Sequence, residues 1–68
     1  MDKNIMIDEL NSRIKAALAE YHTLDLRLTS PESEFEYVDA FLAECDRFEE
    51  IVKRIESLRR AVGYLNRT

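Results

Sequence analysis

A chain of 68 residues and 8.0 kDa, 46% apolar and 35% charged, is one domain at most, too apolar for a disordered tail and too charged for a bilayer. Its single Cys and single His supply neither an intrachain disulfide nor a tetrahedral zinc site, so the usual staples of very small domains are excluded and a partner chain remains. The formal charge of −4 hides a gradient: residues 1–30 carry −1, residues 31–50 carry −7 and residues 51–68 carry +4.

The first predicted element is a helix over about 4–28. Ile7, Leu10, Ile14, Ala17, Tyr21, Leu24 and Leu28 recur at alternating spacings of three and four, an a/d heptad series that strands cannot produce. Good helix formers fill its middle, from Lys15 to Glu20. The Leu24, Leu26, Leu28 alternation is a short period-2 signal that leaves fraying near Thr23 open.

Thr29-Ser30-Pro31-Glu32 is the connection. A residue before proline is pushed out of the α region, which suits Ser30 to an N-cap, and Pro31 then falls at N1, where its missing N–H costs nothing. Ser33 with Glu36 offers an alternative capping box. So short a connection predicts an antiparallel αα-hairpin.

The second predicted helix runs over about 31–65, because no breaker interrupts it before Gly63. Glu49–Lys53, Glu50–Arg54 and Glu56–Arg60 are favourable i,i+4 pairs, and the acid-to-base order along the helix complements its dipole. A helix of about 35 residues beside one of about 25 predicts an overhang of roughly ten residues at 1.5 Å per residue. The apolar stripe of this helix also turns. Val38, Phe41, Cys45 and Val52 centre on one direction, whereas Ile51, Ile55, Leu58, Val62 and Leu65 centre roughly 90–100° away. One neighbour cannot cover both, so the expected oligomer or partner interface is Phe48, Ile51, Ile55, Leu58, Val62, Tyr64 and Leu65.

Chemistry-bearing residues are few. Cys45 and His22 are a nucleophile and a base in type, but Cys45 sits among Phe41 and Phe48 as a structural thiol, and His22 with Asp25 supplies only two metal ligands. No catalytic residue, cofactor or metal is expected. The carboxylates Glu32, Glu36, Asp39, Glu44, Asp46 and Glu50 form a candidate acidic face, in the simplest reading a solvated one. Lys53, Arg54, Arg59, Arg60 and Arg67 suit the C-terminal end of a helix, and with no phosphate-binding motif nucleic-acid binding is not expected.

These features predict an all-α helical hairpin, one domain over 1–68, that self-associates as a homodimeric four-helix bundle and binds another protein as an adaptor, inhibitor or co-chaperone without enzymatic activity. The chain lacks a run of ~18–20 apolar residues and the basic-then-apolar start of a secretion signal, so no membrane contact and a cytoplasmic location are expected. Two other functions fit the same composition. One is an acidic, phage-type decoy for a nucleic-acid-binding enzyme or regulator. The other is an obligate helical subunit similar in size and shape to the co-chaperones of type III secretion needle proteins, a likeness of architecture without a shared motif.

Overall fold

The computed structural model describes residues 1–67 and contains three helices: α1 (Lys3–Thr29), α2 (Pro31–Glu34) and α3 (Val38–Arg67). Asp2 starts α1, its carboxylate accepting the Asn4 amide at 2.9 Å. There is no fraying near Thr23. Its hydroxyl donates to the Ala19 carbonyl at 3.1 Å and the helix continues to Thr29. The heptad series of α1 is the packed face, since Ile7, Leu10, Ile14, Ala17, Tyr21, Leu24 and Leu28 are all buried or half-buried.

The second helix is not continuous from Pro31. Pro31 does take the first helical position after Ser30, but α2 ends after four residues and Phe35 turns extended, with φ −124° and ψ 131°. Ser33 lies inside α2, so the alternative capping box is not used. Two local forces weaken the predicted helix here. Glu32 and Glu36 would repel at i,i+4, and Phe35, Tyr37 and Val38 are poor helix formers. Tertiary contact completes the break. Six residues apart on one helix, Phe35 and Phe41 would point about 120° apart. The bent backbone instead sets their rings edge to face at 5.4 Å and puts Phe35 5.1 Å beneath the Arg27 guanidinium.

The break also removes the predicted overhang. α1 and α3 have 27 and 30 residues, roughly 40 and 45 Å, and lie antiparallel side by side. Arg27 meets Glu44, Tyr21 meets Phe48 and Glu20 meets Arg47. Continued in the same register, the Lys3 end of α1 comes level with the Arg67 end of α3. Leu58, Val62 and Leu65 are therefore half-buried alongside α1 rather than projecting past it.

Between the two helices the buried core consists of Ala17, Leu24, Ile51 and Ile55, with Leu18, Tyr21 and Phe48 packed against it. No described side chain is fully buried. The molecule is a rod with Cα extents of 48 × 16 × 14 Å and a radius of gyration of 15.4 Å, against about 11 Å for a compact domain of this length.

Candidate functional site: the two flanks of the hairpin

Each long helix has three kinds of side: one facing the other helix, one facing away, and two flanks. At about 100° per residue, Phe48, Val52 and Cys45 lie about 40–100° round α3 from the Ile51/Ile55 line. Tyr21, Ile14 and Leu18 lie about 50–110° round α1 from the Ala17/Leu24 line, in the same rotational sense. In an antiparallel pair those two displacements fall on one side of the hairpin. Tyr21 and Phe48 meet there, their rings stacked at 4.9 Å. All six of these residues are half-buried, so this flank is apolar and only partly covered. Phe41 extends it toward the bend.

The opposite flank is polar. Arg47 Nε donates to Glu20 Oε1 at 3.0 Å, and the neighbouring Nη2 reaches the same oxygen. That hydrogen bond, with the carboxylate's charge behind it, raises the Arg47 pKa above its ordinary value. Arg27 Nη1 donates to Glu44 Oε1 at 3.0 Å, while its Nε lies 3.9 Å from Glu34. Arg27 thus holds α1, α2, Phe35 and α3 together with one side chain. The three i,i+4 pairs expected on α3 are not among the ion pairs of the described residues; Arg13–Glu9 on α1 is the one such pair.

The structure redistributes the residues expected at the interface. Ile51 and Ile55 are 6% and 7% exposed in the intramolecular core, so they are not partner residues of the folded chain. Their stripe is the one that packs on α1. Leu58 lines a groove with Arg13, Ala16 and Ala17 on the polar flank, Val62 and Leu65 are half-buried and Tyr64 is exposed. Of the seven, Phe48 belongs to the apolar flank. Val38, expected inside, is 72% exposed.

The acidic face is divided. Glu32 lies on α2, Glu36 in the bend, and Asp39, Asp46 and Glu50 on α3, so the break at 35–37 takes the first two off the α3 surface. Glu44 is turned inward to Arg27. Cys45 is free and half-buried, and the exposed His22 meets the Tyr21 ring edge-on at 5.5 Å. Among the described residues, no three His, Cys, Asp or Glu side chains are grouped closely enough to hold a metal ion. None of the described helices is long and apolar enough to cross a membrane.

Sequence reasoning did not find the role of Arg27. Its signal was available: Arg27 is the one cation between Ala16 and the carboxylate run that begins at Glu32. In comparison with known proteins, no family model, no curated protein and no solved structure matches the chain.

Proposed function

We propose that this hairpin is a non-enzymatic protein-binding module, an adaptor, inhibitor or co-chaperone in kind, that works by packing its apolar flank against helical surface of another protein molecule. One observation carries the reading: among the described residues only Ala17, Leu24, Ile51 and Ile55 are buried, and Ile14, Leu18, Tyr21, Cys45, Phe48 and Val52 stand half-open along one flank. A folded monomer of 8.0 kDa is expected to expose about 4,500 Å², and this one exposes 5400 Å². The difference, roughly 900 Å² of total surface, goes with the rod shape, which leaves a long side wide enough for one partner's share of a standard interface, ~800 Å². Aromatic side chains on that flank are the residue type that most often anchors interfaces. Chemistry is left out of the proposal because Cys45 and His22 have packing roles. A reducing cytoplasm suits a chain whose one thiol is free and partly open.

The test is site-specific photo-crosslinking in cells that make the protein. A benzophenone amino acid at Val52, on the apolar flank, should give covalent adducts with protein. The same group at Ala19, exposed on the far side of α1, should give few. Adducts of equal yield from both positions, or none from Val52, would overturn the reading.

A further inference from the structure

We infer that the occupant of the apolar flank is a second copy of this chain, with α3 lying antiparallel on α3 of its partner. This rests on the protein-binding reading above and says which surface covers the flank. Area and charge both favour it. A long side of the rod has a footprint of roughly 700 Å² from the Cα extents of 48 × 16 × 14 Å, near the ~800 Å² that each partner of a stable dimer buries. A two-fold interface uses one patch twice, so the patch must complement itself.

Two face-to-face arrangements are two-fold symmetric. With the axis along the rod, α1 of one chain lies on α3 of the other and like ends meet. That sets the carboxylates of each bend, Glu32, Glu34, Glu36 and Asp39, beside those of the other. With the axis across the rod, α3 lies on α3 and opposite ends meet. Residues 38–50, net −4, then run along residues 51–67 of the second copy, net +4. Like charges brought together oppose assembly and opposite ones orient it, so the second arrangement is selected.

Gly63 sets the register. It lies within about 20° of Cys45 and Val52 around α3, and a Cβ built on it meets nothing within 4 Å. Inside a helix glycine is the least favourable residue after proline, and nothing in its own chain requires it. It opens a notch beside Arg59, Arg60 and Tyr64. An antiparallel crossing centred near residue 54 seats the Phe41–Cys45 turn of the second copy at that notch. The same register brings Glu49 beside Arg60, and Glu56 beside Lys53, of the second copy.

Light scattering during size exclusion should give the mass of two chains at low micromolar concentration. Gly63→Leu fills the notch without touching its own fold, and should weaken dimerisation tenfold or more at unchanged helicity. Glu49→Arg and Arg60→Glu should each weaken it several-fold, and the double reversal should restore it. Orientation is read by Gly63→Cys, which puts a thiol opposite Cys45 of the second copy, on the same line of α3. Mild oxidation should cross-link that variant and not the parent, whose Cys45 thiols lie roughly 28 Å apart along the paired helices. A helical monomer at tens of micromolar would overturn the inference, as would a dimer indifferent to Gly63→Leu and the charge reversals, or a Gly63→Cys dimer that does not cross-link. If the monomer still gives Val52 photo-adducts with another protein, only the self-pairing fails. If it gives none, the binding function fails with it.

Discussion

The two flanks of the hairpin differ in how they hold α1 to α3. On one, Arg47 clasps Glu20 and Arg27 clasps Glu44. On the other, Tyr21 stacks on Phe48 between half-open Ile14, Leu18, Cys45 and Val52. Most charged groups stay solvated at the edge of a two-helix contact, Glu44 Oε2 being buried without a hydrogen-bond partner, so the polar flank gains little from further cover. Apolar groups gain only by losing water, and a single neighbouring helix removes part of it. The contrast teaches that a thin fold can place its register-setting contacts and its open apolar surface on opposite sides, where one does not obstruct the other.

The comparison breaks most severely at the seam common to both flanks. Leu24→Ala should cost about 2–5 kcal/mol, because Leu24 is 4% exposed and a two-helix core closes poorly over a cavity. Urea denaturation followed by circular dichroism measures it, and a loss below about 1 kcal/mol would mean the seam is not the stabilising core. On the apolar flank, Phe48→Leu should cost about 1–2 kcal/mol in the monomer through the lost ring stack and area, and should weaken association as well. Denaturation at two protein concentrations separates the two effects.

Polar-flank changes should be smaller and should leave association in place. Arg27→Ala should cost about 0.5–1 kcal/mol, discounted for a side chain that is 38% exposed, and should loosen the bend before the rest of the hairpin. Hydrogen exchange would then show early opening at residues 31–41, with 17–24 and 48–55 still protected. The least effect belongs to Arg47→Ala, whose pair is solvated and screened. Its small shift in denaturation midpoint should vanish in molar salt. The pH dependence follows from the raised Arg47 pKa. A cation whose pKa is raised on folding contributes fully below its unfolded value, already far up the alkaline range for a guanidinium, and loses the contribution only above it. Titration between pH 6 and 10 should therefore leave the Arg47–Glu20 contribution unchanged, and a loss within that window would contradict the assignment.

How much of this was legible in the chain differs by element. The α1 face could be read residue by residue, because period-3.6 patterning is local and an a/d series has one solution. The bend could not. Propensity through Phe35-Glu36-Tyr37 is only mildly unfavourable to helix, and a long acid-to-base run makes continuation look favourable. The break depends on Phe35 meeting Arg27 and Phe41, residues separated from it by eight and six positions. With the bend missed, α3 was expected to overrun α1, and Ile51 and Ile55 were assigned outward. For the candidate site, the sequence showed two apolar directions on one helix. It did not show which direction turns inward.

By itself, then, the order of residues determined that this protein is helical, that its chain reverses at Ser30–Pro31, and that one stripe of α1 is packed. Those properties depend on neighbours three and four positions apart. The tertiary structure alone decided the break at 35–37, the similar lengths of the paired helices and the choice of Ile51 and Ile55 as core with Phe48, Val52 and Cys45 left on a flank. Each of these turns on contacts between residues distant in sequence, whose energies are comparable to the local preferences they override.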